Sequence, residues 1–260
     1  MRNGMYGVIA IVMLASPAFA QGDAKAVIEK AIAASGGKEL LDKFPAAKTK
    51  FKGDMSIMGL DITFEGTSVQ APGQFKLEMV ADVMGQKLNV VQIVDGVKVK
   101  TKQTFGGMDL PNTAGEAELD ELRFSVVGQE IGQLTPLLTK TKKFTLKSEA
   151  DEDVGGKPAA VVTVTAKIDE KGEKTKDVKL FFDKESNLLV KSSRKGLTPG
   201  DPDGKEALQE TIISDYKKID GMMVAMKTTN YIDGKKFMTI TSSEHKSLEK
   251  VDKKEFVLDE

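Results

Sequence analysis

The residue types that most often carry catalysis are scarce in this chain. His245 is the only histidine, and there is no cysteine. Neither a zinc site of the usual His/Cys type nor a Cys–His pair can therefore be assembled. Serine and aspartate are abundant, but no Gly-x-Ser-x-Gly nucleophile motif occurs. His245 ends an alternating run between Glu244 and Lys246, a position typical of an exposed side chain.

The remaining polar groupings also lack the spacing of a known reactive site. The acidic run 149–153 lies next to a turn and predicts a solvated strand edge; calcium binding is the alternative, since carboxylate oxygens suit hard cations. Gly106-Gly107 precedes Met-Asp-Leu-Pro and not the Lys-Ser or Lys-Thr of a phosphate-binding loop. We therefore predict a binding protein with no catalytic residue, metal or cofactor. A hydrolase is the least favoured class.

The N-terminal residues 1–20 have the form of a cleaved signal peptide. Arg2 precedes a mostly apolar stretch from Tyr6 to Ala15, and Ala18-Phe19-Ala20 forms an A-x-A cleavage site. No later segment approaches the ~20 apolar residues that a membrane-spanning helix needs. We expect residues 21–260 to reach the periplasm, or to be secreted, as a monomer that is not an integral membrane protein.

The charge distribution argues against a nucleic-acid partner. The chain carries 38 Lys and Arg against 39 Asp and Glu, and the two signs are interspersed. Nucleic-acid binding proteins instead show a basic patch or stripe. The lack of cysteine suits an envelope protein that folds without disulfides. No linker is rich enough in Gly, Pro or Ser to separate domains, so residues 21–260 are expected to form one domain.

The periodicity predicts a mainly β (α+β) fold. Apolar residues at helical spacing predict an N-terminal helix over 23–35 and a helical insertion over 116–138. The other segments alternate and are divided by Gly and Pro turns, which predicts about ten or eleven antiparallel strands. A sheet of that size must curl, so we expect a strongly curved half-barrel with the helices lidding its concave face. The candidate lid residues are Val27, Ala31, Ile32, Leu122 and Val126.

Apolar side chains recur at alternate positions in the first strands, so one face of the curved sheet could form a continuous apolar trough. Methionine is flexible and polarizable, which suits a surface that accommodates varied apolar ligands. Ordinary core filling is the alternative, and a register slip of one residue would turn the whole set to the other face. The candidate ligand-binding residues are Phe51, Met55, Ile62, Phe64, Phe75, Leu77, Met79, Leu88 and Val90.

With these elements in place, the chain resembles the LolA/LolB-like superfamily, and within it the outer-membrane lipoprotein-sorting proteins. The resemblance rests on five segments that follow one another in the expected order over most of residues 21–260. They are AIAASGGKELLDKF (31–44), FEGTSVQAPGQFKLEM (64–79), LFFDKESNLLVKSS (180–193), ISDYKKIDGMMVAMKTT (213–229) and KKEFVLDE (253–260).

The resemblance implies a half-barrel whose helices cover an apolar cavity. Proteins of this kind hold acyl chains or lipid-modified proteins while these cross the periplasm, so a lipid or an acylated protein is the expected partner. The alternative is an envelope protein-interaction or stress-sensing module with the same fold and a packed core. Carriers of this kind clamp the lid with a buried arginine. This sequence has no matching arginine, and Arg123 is the only one near the insertion.

Overall fold

A computed structural model describes residues 21–57, 59–111, 114–169, 171–198 and 205–258. The predicted signal peptide, residues 1–20, lies outside the described residues. Most of the described chain belongs to an antiparallel sheet of 14 strands. None of the described helices has the length and apolar character that crossing a membrane requires.

The described residues include four α-helices, which are α1 (Gln21–Ala34), α2 (Lys38–Lys43), α3 (Glu116–Gly132) and α4 (Thr135–Thr139). Of these, α1, α3 and α4 lie in the two predicted segments, and α2 follows the first of them. Gly36 and Gly37, with φ of 125° and 91°, end α1 and separate it from α2, because glycine adopts positive φ without steric cost. The segment predicted as one helix over 116–138 is divided at Leu134, where φ is 63°.

The strands follow one another mostly as hairpins. They are β1 (Ala46–Ile57), β2 (Leu60–Ala71), β3 (Gln74–Val83), β4 (Gln86–Asp95), β5 (Lys98–Phe105), β6 (Met108–Leu110), β7 (Phe144–Ser148), β8 (Glu152–Val154), β9 (Lys157–Lys167), β10 (Thr175–Asp183), β11 (Leu189–Leu197), β12 (Glu206–Ile219), β13 (Met222–Ile232) and β14 (Lys235–Leu248). Their order in the sheet is β6-β5-β4-β3-β2-β1-β14-β13-β12-β11-β10-β9-β7, and β8 pairs with β9. The pairing of β1 with β14 joins the first and the last strand in the sequence.

The predicted fold class is confirmed, and the strand count of 14 exceeds the predicted ten or eleven. Part of the excess consists of three-residue strands. β6 forms where the sequence pattern breaks, and β8 is the end of a segment that reads as one strand with β7. Both lie beside Gly-Gly turns, 106–107 and 155–156, whose glycines all have positive φ, as two-residue hairpin turns require.

Helix α3 demonstrates that the sheet is strongly curved. Its Arg123 donates a hydrogen bond to the carbonyl of Val97, in the turn between β4 and β5, at 3.0 Å. Its Glu121 forms an ion pair with Arg194 of β11 at 2.7 Å. Strands β4 and β11 are seven positions apart in the sheet, which would be about 34 Å if the sheet were flat. Two residues of a helix rise only ~3 Å, so the sheet must wrap around α3.

The main core lies between the helices and strands β7, β9 and β10. Alternate residues of β9, Val162, Val164 and Ala166, are fully buried against the helices. Burying one such aliphatic side chain contributes about 1.5–3 kcal/mol. We call the face of the sheet that carries the helices the inner face. On the outer face, Phe256 of a C-terminal 3-10 helix (Lys253–Phe256) covers Val69.

Two phenylalanine rings lie across glycines of the neighbouring strand. Phe64 pairs with Gly53, and Phe51 pairs with Gly66. A Cβ atom on Gly53 would stand 2.5 Å from the Phe64 ring, and one on Gly66 would stand 2.7 Å from the Phe51 ring. The two rings meet edge to face with centroids 6.2 Å apart, a favourable aromatic geometry. Because Gly53 and Gly66 have no side chain, there is room for the two rings on the inner face.

Replacing Gly53 by alanine should destabilise the protein by about 1–3 kcal/mol, the usual cost of overpacking. The added methyl would meet both the Phe64 ring and the carbonyl of Thr239. Urea denaturation followed by circular dichroism measures the change. Gly132→Ala is the matched control, because its added methyl would meet no heavy atom within 4 Å and alanine favours a helix. Equal stability of the two variants would contradict the packing described.

Candidate functional site

The nine residues predicted to bind ligand all lie on one face of the sheet. The register pairs Phe51 with Gly66, Gly66 with Met79, and Met79 with Val90, so these positions share a face across β1 to β4. In the other direction, Met55 pairs with Met238 of β14, and the successive partners across β13 to β10 are Asn230, Thr211, Ser192 and Leu180. Leu180 belongs to the main core. The face that carries the nine residues is therefore the inner face.

Seven of the nine residues pack together in an apolar cluster on β1 to β4 and β14. They are Phe51, Met55, Ile62, Phe64, Leu77, Met79 and Leu88. Ala81, Val83, Met238 and Ile240 complete the cluster, which we call the trough. Phe75 and Val90 lie on the same face outside it. Only Phe51, Phe64 and Ala81 are buried, while the other trough side chains keep part of their surface exposed.

The predicted lid residues occupy two different places. Val27, Ala31 and Ile32 of α1 pack in the main core, where α1 lies against β7 and β9. Val126 of α3 is buried and Leu122 is half-buried. Helix α3 contacts β3, β4 and β5 on one side and β11 on the other. It therefore borders the trough, and the lid role of these residues stays a prediction.

A cluster of charged and aromatic side chains fastens α3 to the sheet. Glu121 binds both Lys176 of β10 and Arg194 of β11. The Arg194 guanidinium lies 4.7 Å from the centre of the Phe124 ring, and the Lys176 ammonium lies 5.7 Å from it, which adds cation–π attraction. We call Glu121, Phe124, Lys176 and Arg194 the α3 anchor.

The charge of Glu121 is stabilised in the folded protein. Burial alone raises the pKa of this carboxyl, but hydrogen bonds from Lys176 and Arg194 outweigh it and hold the pKa below the usual 4.5. From the sequence, no arginine matched a lid clamp and only Arg123 was noted near the insertion, so Glu121 and Arg194 were missed. A usable signal was present: Arg194 lies two residues after Ser192 in the alternating pattern of β11, which places its side chain on the inner face.

The prediction that His245 is exposed was wrong. It faces inward opposite Thr49, is half-buried, and its Nδ1 lies 3.1 Å from the Thr49 hydroxyl. Burial lowers its pKa, and the nearby charge of Asp220 opposes that shift. The alternative of a calcium site at 149–153 finds no support either. Across the described residues, no group of three or more His, Cys, Asp or Glu side chains is placed to hold a metal ion.

Comparison with known proteins identifies a shared fold and nothing closer. No protein-family profile matches the chain, and no curated protein matches it. A domain from Vibrio parahaemolyticus, provisionally named an outer membrane lipoprotein-sorting protein domain, aligns over 91% of this chain and 97% of its own at 11% identity, with a TM-score of 0.50. A DUF1329 family protein from Desulfovibrio piger aligns over 90% and 97% at 14% identity, with a TM-score of 0.53. The chain has a LolA-like fold, as the sequence predicted.

Substituting Glu121 by glutamine should weaken folding at neutral pH, and the deficit should shrink as the pH falls. A carboxylate whose pKa is depressed in the folded state stabilises the protein above its unfolded pKa, near 4.5, and loses this effect as the pH drops through the folded pKa. Free energies of unfolding at pH 7, 5 and 3.5 for both proteins test this. Glu118→Gln, at the exposed start of α3, is the control. A deficit that stays constant with pH would contradict the charge-based anchoring of α3.

Proposed function

We propose that this protein is an exported carrier that holds a lipid-like ligand, or the acyl chain of a lipid-modified protein, in the trough. One observation carries the proposal: the inner face of the sheet has two apolar regions, and helices cover only one of them. Helices cover the region formed by β7, β9 and β10, whereas most apolar side chains of the trough stay partly exposed. Large contiguous apolar patches that stay accessible to solvent are rare on soluble proteins, and ligand-binding grooves are among the sites that have them.

The chemistry of the trough suits an acyl chain. Each buried methylene contributes about 0.8 kcal/mol without any directed polar contact, so a chain of about 14 methylenes gains about 11 kcal/mol. Association costs about 4–15 kcal/mol, which favours long chains over short ones. Met55, Met79 and Met238 lie along the trough. Their flexible side chains adjust to chains of different length and branching.

The location and the partner are part of the same proposal. The signal-peptide pattern at 1–20 supports export to the periplasm. The Vibrio domain with the same fold is named for lipoprotein sorting, which supports a lipid-modified protein as the cargo. Binding in an apolar trough uses no covalent chemistry, so we propose a carrier and not an enzyme.

Analysis of co-purified lipid tests the proposal directly. Residues 21–260 would be purified without detergent from a bacterial periplasm, extracted with organic solvent and analysed by mass spectrometry. We expect acyl lipid at close to one molecule per protein. Absence of lipid, together with no uptake of added fatty acid, would refute the carrier. That outcome would favour a protein-interaction module, in keeping with the helix-covered region of the inner face.

Replacing Met79 by aspartate should lower the affinity for a fluorescent long-chain fatty acid by at least about tenfold, because an unpaired charge is costly in apolar surroundings. Met79 is half-buried in the trough, so the change leaves the main core intact. Fluorescence titration gives the dissociation constants. Met79→Leu keeps the apolar surface and should bind normally.

Lys52→Asp is the second control for the same titration. Lys52 is exposed on the outer face, one residue from Phe51. It should bind the fatty acid normally. If Met79→Asp and Lys52→Asp bind alike, the trough is not the ligand site.

A further inference from the structure

A second cavity lies at the seam where α3 meets both sides of the curved sheet. Its volume is about 510 Å³, within the ~300–1,000 Å³ typical of small-molecule sites. It is bounded by α3, by the β2–β3 and β4–β5 turns at Gly73 and Val97, by the start of β7, and by the turn between β9 and β10. None of the trough residues lines it. We call it the seam cavity.

The walls of the seam cavity carry more positive than negative charge. Five cationic side chains and two carboxylates line it. Two of the cations are paired: Arg123 binds Glu116 and Asp120, and Lys143 binds Glu130 at 2.9 Å. The other three, Lys142, Lys167 and Lys171, form no ion pair with any residue that the structure describes.

Both carboxylates of the seam cavity already have partners. Glu130 is buried and lies 2.9 Å from Lys143 and 3.4 Å from Lys140. Asp169 accepts a hydrogen bond from the backbone N–H of Lys174 at 2.9 Å, which fixes it to the β9–β10 turn. Neither carboxylate forms an ion pair with Lys142, Lys167 or Lys171. The three ammonium groups therefore leave a local positive potential at the cavity.

The floor of the seam cavity is apolar. Val126 and Val127 of α3 are buried there, and Ile168 is half-buried beside them. The larger groove on the outer face of β9 to β12 differs in this respect: five cations and five carboxylates line it, and its charges balance. An apolar floor below unpaired cations distinguishes the seam cavity and matches a ligand that is apolar at one end and anionic at the other.

We propose that the seam cavity binds a small anionic amphiphile, a phosphate or carboxylate that carries a short apolar tail. The anionic group lies among Lys142, Lys167 and Lys171, since charge-assisted hydrogen bonds to phosphate or carboxylate oxygens are stronger than neutral ones. The tail lies on Val126 and Val127. This binding does not rest on the trough, because the two sites share no side chain.

Calorimetric titration with hexyl phosphate tests the proposal. The variant Lys142→Gln/Lys167→Gln/Lys171→Gln should bind at least about tenfold more weakly than the natural protein, the effect of losing three modest charge contacts. Its three positions are exposed, so folding should be retained. The matched control is Lys48→Gln/Lys52→Gln/Lys100→Gln, which removes the same charge from exposed positions of β1 and β5. Equal affinity of both triple variants would overturn the proposal.

Two further ligands separate the contributions of head and tail. Hexanol should bind more weakly than hexyl phosphate because it lacks the charge, and inorganic phosphate should bind more weakly because it lacks the tail. If inorganic phosphate binds as tightly as hexyl phosphate, the site takes a free anion and the role of the valine floor is wrong. If hexanol binds as tightly as hexyl phosphate, the three lysines do not contribute to binding.

The location of binding is tested separately from the trough. Hexyl phosphate should protect Lys142, Lys167 and Lys171 from acetylation, read by mass spectrometry, and should leave Lys52 reactive. The Met79→Asp variant should bind hexyl phosphate normally even though its fatty-acid binding is lost. Protection of none of the three lysines would overturn the seam site. Loss of hexyl phosphate binding in Met79→Asp would assign that binding to the trough.

Discussion

The attachment of α3 to two distant parts of the sheet is the constraint on which this structure depends. The sheet ends at β6 and β7, which do not pair with each other among the described residues, so backbone hydrogen bonds do not close the barrel. Side chains of one helix hold the curvature instead: Arg123 reaches Val97, and Glu121 reaches Arg194. A half-buried ion pair between hydrogen-bonded partners is sensitive to the loss of either one. The interior space of the half-barrel therefore depends on a few contacts between one helix and the sheet.

The size of the helices explains why they cover only part of the inner face. Helix α1 has 14 residues and is about 21 Å long, which covers about four strands at 4.8 Å each. It lies on the β7 and β9 side, where alanines such as Ala24 and Ala31 allow close approach. Helix α3 borders the trough on the inner face through its contacts with β3 and β4. The trough and the main core are both apolar. They differ because the helices cover the main core and leave most of the trough uncovered.

The parts of this structure that were predictable from the sequence are those that local pattern encodes. Alternation placed Phe51, Met55 and Phe64 on one face, and glycine turns marked the hairpins, because side-chain direction repeats every two residues in a strand. Contacts between remote segments carry no such signal. The burial of His245 depends on β1, almost 200 positions earlier in the sequence, and the pairing of Glu121 with Arg194 depends on the curvature of the whole sheet. Periodicity indicates which way a side chain points and does not identify the residue that it meets.

Helix α3 links the two proposed sites physically. It supplies the floor of the seam cavity through Val126 and Val127, and it also contacts β3, β4 and β5 beside the trough. A ligand that binds the seam cavity only while α3 is docked stabilises the docked position by its binding free energy. If a long acyl chain enters the trough only when α3 shifts, the seam ligand must oppose that entry. Thermodynamic linkage then requires the acyl chain to weaken seam binding by the same factor. The two sites would therefore act through the position of one helix, although they share no side chain.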